Sequence, residues 1–127
     1  MNNPQKPTEA ELEILQVIWQ HGPSTVRFVH EQLTQHRDIG YTTTLKNMQN
    51  MAQKALLTRD ESAKSHIYAS NVPQETTQKL LIDRLLETAF GGSAGRMAMQ
   101  ALGHRKTSKE ELDQIKALIN KLEGGNP

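Results

Sequence analysis

Apolar positions recur along this chain with two distinct periods, and their order predicts its elements. Thr8-Glu9-Ala10-Glu11 reads as a capping box, the Thr8 hydroxyl taking the Glu11 amide and Glu11 reaching back. Behind it Leu12, Leu15 and Ile18/Trp19 follow at helical spacing, until His21-Gly22-Pro23 stops the run. Ser24 or Thr25 opens a second helix with the inner stripe Val26, Val29 and Leu33, which closes in Gln35-His36-Arg37-Asp38 before Gly40. A third helix, from Tyr41 or Thr42 to Lys54, buries Thr44, Met48, Met51 and Ala55, with Leu45 and Ala52 at its margin. The period then shortens. Leu56-Leu57-Thr58-Arg59 and His66-Ile67-Tyr68-Ala69-Ser70 read as strands joined by the polar loop Asp60–Ser65. Trp19 is expected between the first helix and this hairpin.

Beyond Asn71-Val72-Pro73 the pattern is helical again. Pro73 suits a first turn, and Leu80/Leu81, Leu85, Ala89 and Phe90 make an apolar face that Gly91-Gly92 ends. Ser93 opens a short helix carrying Met97, Met99 and Leu102, stopped by Gly103. Thr107 with Glu110 reads as a second capping box. The last helix steps Leu112, Ile115, Ile119, Leu122, the spacing of a helix that lies along another. The expected fold is mainly α with a small β-wing: a winged helix-turn-helix at 7–71, then a helical dimerisation domain at 73–123.

Composition sharpens this. Only 35% of the 127 residues are apolar and 4% aromatic, a thin core for a monomer, so a homodimer sharing apolar surface is expected. Its contacts fall to Leu81, Leu85, Phe90, Met97, Leu102, Leu112, Ile115, Ile119 and Leu122. A net charge of +1 excludes a nonspecific basic coat, so any DNA contact depends on local placement of charge. The absence of cysteine removes disulfides, thiolate metal sites and cysteine nucleophiles. Met1-Asn-Asn-Pro-Gln-Lys opens no signal-peptide core and no run is long enough to span a membrane, so a cytoplasmic location without membrane insertion is expected. The five histidines (21, 30, 36, 66 and 104) show no metal-ligand pairing, and the methionines read as core and contact filler. No cofactor is expected. Without paired carboxylates in apolar context or a phosphate loop, neither is an enzyme.

The outer side of the third helix is unusual. It offers Thr42, Thr43, Lys46, Asn47, Gln49 and Asn50, and no acid occurs between Asp38 and Asp60. Asn and Gln can bond adenine edges twice, Thr methyl packs on thymine methyl, and Lys46 suits guanine or phosphate. In the hairpin, Arg59 and Lys64 are single cations that suit phosphate contact and a solvated turn equally. From Arg37 to Lys64, five basic residues (Arg37, Lys46, Lys54, Arg59, Lys64) face three acids, while Glu9, Glu11 and Glu13 of the first helix are expected to turn away from DNA. Double-stranded operator DNA is the expected partner. The rival reading is a winged-helix protein-interaction module whose 42–50 face docks a protein; salt dependence of binding separates the two.

The chain resembles the BlaI/MecI/CopY family of winged-helix repressors. The likeness runs through Thr8-Glu9-Ala10-Glu11-Leu12-Glu13-Ile14-Leu15 with Ile18-Trp19, Pro23-Ser24-Thr25-Val26-Arg27 and Gly40-Tyr41-Thr42-Thr43-Thr44-Leu45. It continues in Lys54-Ala55-Leu56-Leu57-Thr58-Arg59, Ile67-Tyr68 and Phe90-Gly91-Gly92-Ser93, covering about 7–122. The resemblance implies a transcriptional repressor, dimeric through its C-terminal helices, on an operator dyad with TACA/TGTA-type half-sites. It places the recognition threonine on Thr43 and puts Leu45 where a basic contact is common, which leaves the operator preference open. Antibiotic or cell-envelope stress is the signal it implies. A membrane-bound sensor protease is then a further partner: it cuts some relatives at an Asn–Phe bond that aligns with Gln100-Ala101, where the residues differ.

Overall fold

A computed structural model describes residues 6–124. The opening stretch, read as lacking a signal-peptide core, begins outside the described residues. Helices α1 (Glu9–His21), α2 (Val26–Leu33) and α3 (Tyr41–Gln53) lead into strands β1 (Leu57–Asp60) and β2 (Ile67–Ser70). Helices α4 (Gln74–Ala89), α5 (Ala94–His104) and α6 (Lys109–Leu122) follow. The fold is thus mainly helical with a two-stranded wing, as the pattern predicts. The strands pair antiparallel with Leu57 opposite Ser70 and Asp60 opposite Ile67.

Local chemistry explains most of the boundaries. The capping box on α1 forms in full, with the Glu11 amide donating to Thr8 Oγ1 (3.2 Å) and the Thr8 amide to Glu11 Oε1 (3.0 Å). Thr25, not Ser24, caps α2: its Oγ1 accepts from the Phe28 amide at 3.1 Å. Ser24 instead makes an isolated antiparallel bridge with Tyr68, exchanging backbone hydrogen bonds of 2.9 and 2.8 Å. That bridge adds a one-residue third edge to the wing beside β2 and ties it to the entrance of α2.

The core joins Ile14, Leu15 and Ile18 of α1, Val26, Val29 and Leu33 of α2, Met48 and Met51 of α3, and Leu56, Leu57 and Tyr68 at the hairpin. Two expectations are corrected here. Ile14, not Leu12, is fully buried on α1, and Leu12 is half-buried. Ala55 is not on the buried face of α3; it is exposed, with φ of 65°, and turns the chain out of the helix so that Leu56 can enter the core. Trp19 is half-buried between α1 and the wing, its Nε1–H shared between Ser70 Oγ (3.0 Å) and the Val72 carbonyl (3.2 Å).

The chain divides into two compact units, one ending at Ile82 and the other beginning at Asp83, inside α4. In the second unit the Gly91-Gly92 stop behaves as expected, with both glycines at positive φ and the Gly92 amide returning to the Leu86 carbonyl at 2.7 Å. Helix α5 runs through Gly103 and ends one residue later, since a glycine inside a helix costs only about 1 kcal/mol. The cap of α6 is Ser108, not Thr107: Ser108 Oγ accepts from the Glu111 amide at 3.1 Å, so the predicted Thr107–Glu110 box is one residue out of register. No residue of α5 or α6 is buried. No helix among the described residues is long and apolar enough to cross a membrane.

Candidate nucleic-acid interface

Helix α3 is oriented by what it buries. Thr44, Met48 and Met51 point inward at helical spacing, and the wholly buried Thr44 hydroxyl lies 3.2 Å from His30 Nδ1 on α2. A polar pair inside an apolar contact fixes rotation as well as position, because a turned helix would leave the hydroxyl unpaired. With that side inward, Thr42, Thr43, Lys46, Gln49 and Asn50 are exposed, and Asn47 is half-buried on the flank. The acid-free polar surface expected from the sequence is therefore continuous. Leu45 is half-buried against the core and contributes no donor to that surface.

The hairpin cations part company. Arg59 Nη2 is 2.5 Å from Glu61 Oε2, and contact with Tyr68, then with Glu61, raises its pKa further. Arg59 lines a hollow with Gln49, Asn50, Gln53 and Asn71. Lys64 lies on another side, in a cleft with Arg27, Tyr41, Gln49 and His66. Arg37 is bound to Glu13 (2.8 Å) and Lys54 to Glu11 (2.5 Å). Three of the five cations between Arg37 and Lys64 are thus paired with carboxylates, and two of those carboxylates belong to α1. Glu11 is buried as part of the fold, not merely turned from the outer face.

Sequence reasoning passed over Arg27 and Tyr41. The Arg27 guanidinium lies over the Tyr41 ring at 5.5 Å, and His30 meets the same ring edge-on at 5.4 Å. A basic residue in the first turn of the helix preceding α3 was the available signal. Among the described residues, no group of three or more His, Asp or Glu is placed to hold a metal ion.

The predicted dimer residues lie open or half-open. Leu85, Leu102, Leu112, Ile119 and Leu122 are exposed, while Leu81, Phe90, Met97 and Ile115 are half-buried. Met99, read in the sequence as contact filler, is exposed as well, and so are Ile82 and Leu118, which the sequence reading passed over. Gln100 and Ala101 are exposed within α5.

Three helices and a two-stranded wing, with a polar outer face on the third helix, define the class: a winged helix-turn-helix protein. The chain belongs to the penicillinase repressor family, whose model matches residues 7–121. It is 29% identical over 120 residues to the transcriptional regulator BlaI of Mycobacterium tuberculosis, covering 93% of this chain and 86% of that one. It is 20% identical over 112 residues to the penicillinase repressor of Bacillus licheniformis, covering 88% of each. The solution structure of monomeric Bacillus licheniformis BlaI with the blaP half-operator superposes with a TM-score of 0.51 at 21% identity. That match covers 59% of this chain and 92% of the other, and it supports the winged fold.

Proposed function

We propose that this protein represses transcription by occupying an operator dyad as a homodimer, with α3 in the major groove and the wing along the backbone. The observation that carries this reading is the outer face of α3. Thr42, Thr43, Lys46 and Asn50 stand opposite the buried Thr44, Met48 and Met51, with Asn47 on the flank and no carboxylate among them. Short neutral donors and acceptors fit base edges, where long like-charged chains would answer only phosphate. The half-operator bound by the Bacillus licheniformis relative is DNA of the kind proposed here.

Arg59 and Lys64 supply backbone contacts in this reading, Lys64 the more strongly because Arg59 is already bound to Glu61. Dimerisation falls to the exposed apolar residues of the second unit. Leu85, Leu102, Leu112, Ile119 and Leu122 lose hydrophobic free energy to water until a second copy covers them. One winged helix makes few phosphate contacts, and two joined modules bind as one long site. Such a regulator works in the cytoplasm, with the DNA. Release by an antibiotic or envelope signal, through a membrane-bound sensor protease acting near Gln100–Ala101, is the inducing route the family likeness favours.

The test compares Thr43→Ala with Lys46→Ala on the inverted repeat upstream of the gene and on random DNA. Thr43→Ala should cost about 1–3 kcal/mol on the repeat and little on random DNA. Lys46→Ala should weaken both and flatten the salt slope by about one. If both folded variants bind the repeat as wild type does, α3 is not the reading helix. Binding that ignores salt would return this face to a protein partner.

A further inference from the structure

We propose that the cleft between the start of α2, the start of α3 and the wing tip is a seat for a DNA backbone phosphate, gripped by Arg27 of the helix and Lys64 of the hairpin. This rests on the operator reading above and adds to it a site and two residues, Arg27 and Tyr41, outside the outer face of α3.

Three observations converge. The first is shape: a cavity of about 360 Å³ is lined by Thr25 and Arg27 from α2, Tyr41 and Gln49 from α3, and Lys64 and His66 from the hairpin. The second is charge. No Asp or Glu lines this cleft, and among the described residues neither Arg27 nor Lys64 has a carboxylate partner. Arg37, Lys54 and Arg59 all do, and the neighbouring hollow beside β1 carries Glu61 on its wall. An anion is therefore drawn to this cleft more strongly than to that hollow.

The third observation is preorganisation. Arg27 Cζ lies over the Tyr41 ring 5.5 Å from its centroid, Tyr41 is braced edge-on by His30, and His30 is held by the buried Thr44 hydroxyl. A guanidinium resting over a ring face keeps N–H donors for another partner, and its planar fork matches two phosphate oxygens. Lys64 brings a point charge from the hairpin. His66 and the Tyr41 hydroxyl add donors, and Gln49 leads from the cleft onto the reading face of α3. A phosphate seated here would set how deeply α3 enters the groove, because its two cations stand on the elements before and after that helix. It would carry no sequence information.

The probe is a short random-sequence duplex, followed by fluorescence anisotropy across a range of salt concentrations, with the upstream repeat in parallel. Arg27→Gln and Lys64→Gln should each weaken both duplexes by a similar factor. Each should also flatten the slope of log affinity against log salt by about 0.9, and the pair together by about 1.8. Arg27→Lys should recover most of the slope, since it restores the charge and loses only the fork. Replacing backbone phosphates with neutral methylphosphonates one at a time should reveal a position that weakens wild type but not the double variant. Unchanged slopes in folded Arg27→Gln and Lys64→Gln overturn the seat and leave the operator reading standing. Both side chains are exposed and outside the core, so both variants are expected to fold, and Arg27→Gln is the one that separates the seat from a wing contact by Lys64 alone. Wild type that binds no duplex overturns both readings. Inorganic phosphate that displaces the duplex better than chloride at equal ionic strength points to a free-anion pocket and overturns the backbone assignment.

Discussion

Ala55 sits in the left-handed region at φ 65°, a conformation that costs a residue with a Cβ about 1–2 kcal/mol. Its neighbours hold it there. The Asn71 side-chain amide donates to the Ala55 carbonyl at 2.9 Å, and the Asn71 backbone amide to that of Leu56, also at 2.9 Å. The chain must leave α3 sharply so that Leu56 and Leu57, both about 1% exposed, enter the core in succession. Glycine would adopt the same backbone without the Cβ clash, at some cost in unfolded-state entropy. Ala55→Gly is therefore expected to stabilise the protein by about 0.5–1 kcal/mol, read as a higher urea midpoint at unchanged slope. The single Trp19, hydrogen-bonded to Ser70 and Val72, reports the transition by fluorescence. A lower midpoint would mean that the turn is not strained.

Among the elements, the wing is held from three directions. Its two strands pair with each other, Ser24 bridges to Tyr68, and Trp19 reaches across to Ser70. Its tip is shaped locally: the Ser62 amide donates to Asp60 Oδ1 at 2.9 Å, closing an Asx turn that starts the loop. That hydrogen bond, with the Ser62 side chain second, holds the Asp60 pKa below its usual value. A lowered folded pKa means stability present above the unfolded value and lost as pH falls through the folded one. The turn should thus stay intact at neutral pH and loosen only in acid, below the ordinary carboxylate range. The Ser62 amide resonance should follow this titration by NMR, and Asp60→Asn should abolish its pH dependence. A Ser62 amide that titrates nearer neutrality would place the control of the turn elsewhere. Arg59 shifts the other way, which changes nothing in practice because an arginine is charged throughout this range.

For the whole molecule, the decisive property is that the second unit buries so little of its apolar surface. Met99, Leu118 and Leu122 are 68%, 54% and 76% exposed, too much for a unit meant to stand alone in water. If the helices from Gln74 to Leu122 build the dimer, a break in α5 should separate them. The region Met99-Gln100-Ala101 is exposed but helical, so a protease must first open a turn there; Gly95 and Gly103 in the same helix lower the cost of opening. An engineered protease site replacing these three residues should convert the protein on cutting from dimer to monomer, with loss of operator binding. Size-exclusion chromatography and duplex binding before and after cutting check this. A cut protein that remains dimeric and bound would show that α5 is no switch.

Helix periods, the Thr8–Glu11 cap, the hairpin and the acid-free face of α3 were all legible in the amino-acid order, because each depends on residues within a few positions of one another. The sequence also placed Thr44, Met48 and Met51 inward, and the outer residues followed from that. The cap of α6 was missed by one residue, but the misses in the first unit were decided from far along the chain. Ser24 was drawn from a cap into a bridge with Tyr68, and Ala55 was turned outward where Asn71 holds its carbonyl. Charge was the largest such case. Arg37 is spoken for by Glu13 and Lys54 by Glu11, while Arg27 stays unpaired beside Lys64 in the cleft. Counting charges along the chain could not separate these cations. An ion pair needs only proximity in space, and partners tens of residues apart leave no period or spacing by which to find them.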